Sequence, residues 1–290
     1  MEQAHALDWM QVALEYVGFV SSFFLLGPIG FRWGIVRTAP DATAARALRD
    51  AAIVGLAGVA LGVVSLVASV SKRAEAKHLS FGDAFAAGGA TVAAQAVLLG
   101  VLLVCFALAW RGAAIAWKLA GAGALAFALR GVLGGRLGAM VNPLHVLGAS
   151  VWLGTLFVLV FCGVREQLRD DAATREPAVA QMVHRFSVVA LGGAGLLGVT
   201  GIITSWTHLK HLDALWTTPY GQALFRKLVV VLGVVGLGAW NWRRVGPALG
   251  RDGGAVRIRR SAIAELAVAA LVLLLTAILV STPSPKFPPH

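Results

Sequence analysis

His145 stands in the run MVNPLHVLGASVWLG, three residues after Asn142 and two after Pro143. Asparagine is a preferred N-cap and proline is favoured as the first helical residue. The spacing therefore predicts a helix capped by Asn142, with His145 in its first turn. A helix N-terminus disfavours a positive charge, which keeps the imidazole neutral, and neutral imidazole is the form that ligates metals. The same ring can instead hydrogen-bond a neighbouring helix, and the sequence leaves both roles open. His208 and His211 lie in TSWTHLKHLDALW. On a helical turn an H-x-x-H pair shares one face and makes a two-point metal grip, with Asp213 as a further oxygen ligand or supporting partner. Such pairs also occur in solvated loops. Met140 and Met10 offer thioethers, which suit Cu(I) but also simply pack. Glu15 falls inside an apolar run, where a carboxylate either stays protonated and donates a hydrogen bond or accepts a cation passing inward.

These groups must be positioned by eight apolar stretches, near residues 9–31, 51–70, 85–110, 113–133, 143–164, 186–206, 221–242 and 262–280. Each is about 20 residues long, the length an α-helix needs to cross a bilayer core. Lipid offers no hydrogen-bond partners, so a crossing segment must satisfy its own backbone, as a helix does. The fold class read from this pattern is all-α: a polytopic membrane helical bundle of about eight transmembrane helices. Only 13% of the 290 residues are charged and the mean hydropathy is +0.78. The fourth stretch is interrupted by Lys118 and reads as the shortest. The N-terminus lacks a basic start and carries Glu15 in its apolar run, so it reads as a mature helix rather than a cleavable leader.

The loops sort by charge. Arg32, Arg37, Arg46 and Arg49, then Arg111 and Lys118, then Arg165, Arg169, Arg175 and Arg185, then Arg243, Arg244, Arg251, Arg257, Arg259 and Arg260 fall on one side. The other side has Lys72, Arg73, Lys77, Arg130, Arg136, Lys210, Arg226, Lys227 and Lys286. The positive-inside rule places the first set in the cytoplasm and both termini in the periplasm. The net charge of +11 is thus explained by topology and anionic lipid, not by nucleic acid. His5, His78, His145, His208, His211 and His290 then gather on the outer side. His184, Cys105 and Cys162 lie toward the inner one. The two cysteines sit within helices, which argues against a disulfide framework.

Buried amides such as Gln95 and Asn241 read as helix glue, and the glycine series Gly192, Gly195, Gly198 and Gly201 and Gly233, Gly236 and Gly238 as close-packing surfaces. The sequence has no G-x-x-x-x-G-K-[ST] phosphate loop, C-x-x-C or H-E-x-x-H motif, and no Ser–His–Asp arrangement stands out. No enzymatic activity is expected.

NPLHVLGASVWLG (Asn142 to Gly154), RFS (Arg185 to Ser187), Thr200–Gly201, TTPYGQALFRKL (Thr217 to Leu228) and Asn241 together resemble the copper-resistance D (CopD) family of bacterial inner-membrane proteins. The resemblance is strongest from about residue 140 to 282, and it divides the chain into an N-terminal four-helix half, 1–139, and a CopD-like half with a Pro-rich tail, 140–290. It implies an eight-helix protein of the bacterial inner membrane that moves copper from periplasm to cytoplasm; the ion is expected to be Cu(I). His145 falls on the family's histidine at the start of the fifth helix. Many members carry a Gly-His pair near the end of the fourth helix, where this chain reads ALRGVLGG with Val132. Combined with the residue types and spacings above, the expected ligand set is His145, His208, His211, Met140 and Glu15, with Cys105, Cys162 and His184 as receivers near the inner face. Two other readings stand beside it: a haem b electron-transfer protein using His145 and His208 as axial ligands, and a non-transporting scaffold that docks a periplasmic copper chaperone.

Overall fold

The computed structural model describes residues 8–37, 40–130, 140–209, 213–240, 243 and 253–282; His5, Val132, Lys210, His211, Asn241 and His290 lie outside these. The elements are α1 (Trp9–Val36), α2 (Ala42–Lys77), the short α3 (Phe81–Ala86), α4 (Gly89–Trp110), α5 (Ala114–Leu129), α6 (Val141–Gln167), α7 (Ala172–Leu209), the short α8 (Ala214–Thr217), α9 (Pro219–Trp240) and α10 (Gly254–Ser281). The last turns of α1 are π-helical (Phe31–Val36), as are two stretches of α6 (Ser150–Gly154 and Leu159–Val164). The fold is all-α, a polytopic helical bundle. Seven of the described helices are long and apolar enough to span a membrane.

The helix starts follow local chemistry. The Asp8 carboxylate accepts from the backbone N–H groups of Met10 and Gln11, both at 3.1 Å, and Asp41 accepts from Ala44 at 2.7 Å. These satisfy donors that a first turn leaves without helical partners. Lys72 donates to Asp8 at 2.9 Å and holds its carboxyl below the usual carboxylate range. At α6 the start differs from the sequence expectation. The helix begins at Val141, with Met140 as N-cap, so Asn142 and Pro143 lie within the first turn. Proline is tolerated there because the first four N–H groups have no helical acceptor in any case.

The ends of the helices show which loops share a face. Arg185 of α7 donates to the Ile35 carbonyl at the end of α1, 2.6 Å. Arg46 near the start of α2 meets Glu166 at the end of α6, 3.1 Å. Thr43 donates to Asp170, 3.0 Å, and the Glu176 carboxylate accepts from the Ala255 N–H at the start of α10, 2.9 Å. All of these belong to the arginine-rich loops. On the opposite face, Lys72 meets Asp8, Arg73 donates to the Ala84 carbonyl, and His145 meets Thr200. The helix α5 has only 16 residues, about 24 Å at 1.5 Å per residue. The chain nevertheless crosses there, because α4 ends on the arginine-rich face and α6 begins on the other. The described bundle thus makes eight passages, one of them short.

Packing centres on α1, which touches α2, α5, α6 and α10, while α6 also packs on α7, and α9 on α10. The α1–α6 crossing is closest at glycine. A Cβ on Gly27 would collide with the Gly154 carbonyl oxygen, and one on Gly154 with that of Phe23. Gly148 and Gly193 do the same for α6 and α7, each within 2.9 Å of the other's carbonyl. Small residues that let backbones approach are the usual basis of membrane-helix packing. The glycines singled out in the sequence behave differently. Within the described chain, a Cβ at Gly192, Gly195, Gly198, Gly233, Gly236 or Gly238 would meet nothing within 4 Å. Their packing role is corrected accordingly: they face outward from the bundle.

Candidate functional site

α6 carries His145 at its second turn, on the face that packs against α7, and the ring is half-buried. Its Nδ1 lies 3.0 Å from Thr200 Oγ1 on α7. The polarity of this contact follows from the threonine. A hydroxyl has one proton, and that of Thr200 is directed at the Leu196 carbonyl one turn earlier, at 2.6 Å. Toward the ring Thr200 can therefore only accept, which assigns the proton to Nδ1 and leaves the Nε2 lone pair as the ring's acceptor. The second nitrogen's hydrogen bond decides which one is left to bind a metal. Of the two roles read from the sequence, the structure shows the bond to a neighbouring helix, made through Nδ1.

Gly201 completes the seat. A Cβ there would stand 3.3 Å from His145 Cε1, tighter than the ring would accept without moving. The Thr200–Gly201 pair therefore supplies one hydrogen-bond acceptor and one missing side chain. Lys227 of α9 is half-buried and near enough for its charge to act on the His145 ring.

The other expected ligands are spread more widely. Met140 is the N-cap of α6 and half-buried, five residues before His145. His208 lies on α7 two turns past Thr200, about 12 Å along the axis; His211 lies outside the described residues. Glu15 belongs to a different surface. It accepts from the Gln11 side chain at 2.9 Å, and Gln11 accepts from Lys72, which also binds Asp8. This network joins α1 to α2, away from the α6–α7 seam. Cys105 and Cys162 are free and buried in the core, and His184 is exposed. Among the described residues no group of three or more His, Cys, Asp or Glu is arranged to hold a metal ion. His145 with Thr200 is the pair brought together.

Two of the sequence motifs have structural explanations. Arg185 of RFS donates to the carbonyls of Ile35 and Val36, closing a helix end whose carbonyls lack intrahelical donors. In TTPYGQ, Thr218 Oγ1 accepts from the Gly221 N–H at 3.0 Å, and Pro219 is the first residue of α9, the N-cap and N1 pairing expected of these residue types. Thr200 is the residue whose role the sequence did not disclose. A threonine inside an apolar helix usually returns its hydroxyl to its own backbone, and only the facing helix shows that it also orients a histidine.

Seven helices long and apolar enough to span, an eighth short passage and, among the described residues, an imidazole tied to the neighbouring helix at the α6–α7 seam define a polytopic helical membrane protein. Residues 180–279 match the family described as copper resistance protein D, a stretch that includes Thr200, Gly201 and Lys227 and begins past His145. The chain is also 30% identical over 152 residues to a protein of Bacillus subtilis (strain 168) described as copper transport protein CutJ. The similarity covers 52% of this chain and 26% of that protein, so the chain corresponds to about a quarter of its relative's length. No solved structure matches.

Proposed function

We propose that the protein handles copper in the bacterial inner membrane, taking the ion from the periplasmic face toward the cytoplasm. The observation that carries this reading is the His145 imidazole, whose Nδ1 is tied to Thr200 at 3.0 Å while Nε2 keeps its lone pair at the end of a spanning helix. The family match over residues 180–279 and the copper-transport relative supply the identity of the ion. The positive-inside rule supplies the orientation.

Copper is the cargo, as Cu(I). His145 Nε2 makes the first bond. Met140 adds a soft thioether from the same helix start, and His208 and His211, which the loop charges assign to the outer side, are the further imidazoles of the proposed set. Glu15 adds an acidic group to the same face through α1. The positive charge of Lys227 keeps the ion from resting at the seam. An inside-negative potential then favours inward movement by about 2.3 kcal/mol per charge per 100 mV. Copper content of cells expressing wild type or His145→Ala tests the reading. Wild-type cells accumulate more copper; equal accumulation removes His145 from the mechanism.

A further inference from the structure

A groove of about 480 Å³ runs along the membrane-facing side of the bundle between α1, α5, α6 and α7. Its wall is apolar throughout, with Ile29, Gly121, Leu125, Val188, Gly192 and Leu196 among the lining residues. Gly192 leaves open space where a side chain would stand, and Gly121 leaves a gap bounded by Ile29 at 3.5 Å and the Trp33 indole nitrogen at 3.8 Å. Val188 and Leu125 line the groove and are largely exposed. At membrane depth such an opening faces acyl chains.

The end of the groove nearest the arginine-rich face has different chemistry. Trp33 stands there, 39% exposed, with its indole N–H side toward Gly121. The Arg32 guanidinium lies over the Trp33 ring, 4.5 Å from its centroid. Lys118 is exposed and sits three residues before Gly121 on α5, so it shares that face one turn closer to the surface. Arg32 and Trp33 on α1 and Lys118 on the adjacent α5 thus put two cations and an indole N–H at the arginine-rich end of the groove, the level of a headgroup. Lys118 lies only four residues after α5 begins at Ala114, and a lysine that close to a helix end extends its ammonium to the headgroup level.

We propose that this groove is a binding site for an anionic phospholipid of the leaflet on the arginine-rich face. One acyl chain lies between α5 and α7, and the phosphate meets Arg32, Lys118 and the Trp33 N–H. The site is separate from the His145 seam and does not depend on the copper reading.

Native mass spectrometry of the purified full chain, offered equal amounts of phosphatidylglycerol and phosphatidylcholine with the same acyl chains, tests this. The wild type retains phosphatidylglycerol over phosphatidylcholine. A basic residue near the surface contributes enough attraction that each cation removed lowers the preference about fivefold. Lys118→Gln therefore weakens it, and Arg32→Gln with Lys118→Gln brings it close to unity. Gly121→Leu fills the groove and reduces retention of both lipids, with circular dichroism verifying the helices. Equal retention of the two lipids by wild type, or a preference that survives the double substitution, overturns the proposal.

Discussion

Thr200 Oγ1 donates to Leu196 at 2.6 Å and stands 3.0 Å from His145 Nδ1, so one hydroxyl fixes both the tautomer and the aim of the imidazole. A ring held in this way presents Nε2 without first having to choose a proton position or a rotamer. The same arrangement supports ligating histidines in metal proteins generally, where loss of the supporting partner costs about 10–100-fold in affinity.

Thr200→Val keeps the volume and removes the acceptor. Cu(I) affinity of the purified protein, measured by competition with a chromophoric chelator, is expected to fall about tenfold or more. Thr200→Ser restores the oxygen and most of the affinity. A valine variant that binds as well as wild type would show that Nδ1 needs no partner.

Much of the fold was legible because lipid leaves few alternatives. The eight apolar runs, the segregation of Arg46, Arg169 and Arg185 from Lys72 and Arg73, and the caps at Asp8 and Asp41 all follow from local chemistry and helix length. What was not legible depends on which helix faces which. His145 was visible as a candidate, but its partner Thr200 lies 55 positions later and has an ordinary local role. Residue type points to a cap at Asn142, yet the helix starts two residues earlier, with Met140 as cap and Val141 as its first residue, since Pro143 fits anywhere in a first turn. The sequence places Glu15 at depth in an apolar run, whereas its partner Gln11, itself bonded by Lys72, ties it to the α1–α2 surface.

Glycine makes the same point and can be tested directly. Spaced series drew attention to Gly192 and Gly233, whereas the close contacts are made by isolated residues such as Gly27 and Gly154. Gly27→Ala places a methyl group against a backbone carbonyl of α6, which cannot swing aside as a side chain can. Overpacking of this kind costs about 1–3 kcal/mol or more, so the thermal midpoint of the detergent-solubilised protein is expected to drop by several degrees. Gly192→Ala and Gly233→Ala meet nothing within 4 Å and are expected to leave it unchanged or slightly raised, since alanine is the better helix former. Equal losses for all three would contradict the packing described.

The carboxylate of Glu166 is 2% exposed and lies between Arg46 at 3.1 Å and Arg169 at 2.7 Å, whose side chains are 44% and 57% exposed. The two arginines keep much of their hydration, so their pairing with the acid is only partly paid for in desolvation; the acid itself has left water almost completely. Removing the charge and removing its partners are therefore unequal changes. Glu166→Gln leaves a neutral buried amide and two arginines free to turn outward, and a loss of about 1–2 kcal/mol is expected. Arg46→Ala with Arg169→Ala leaves an uncompensated buried carboxylate, and the loss should approach about 3–5 kcal/mol. Unfolding of both variants in the same detergent, followed by helical circular dichroism, gives the comparison. If the double arginine variant proved the more stable of the two, Glu166 would have to be held by its surroundings rather than by its ion pairs, and the link between α2 and the end of α6 would lie elsewhere.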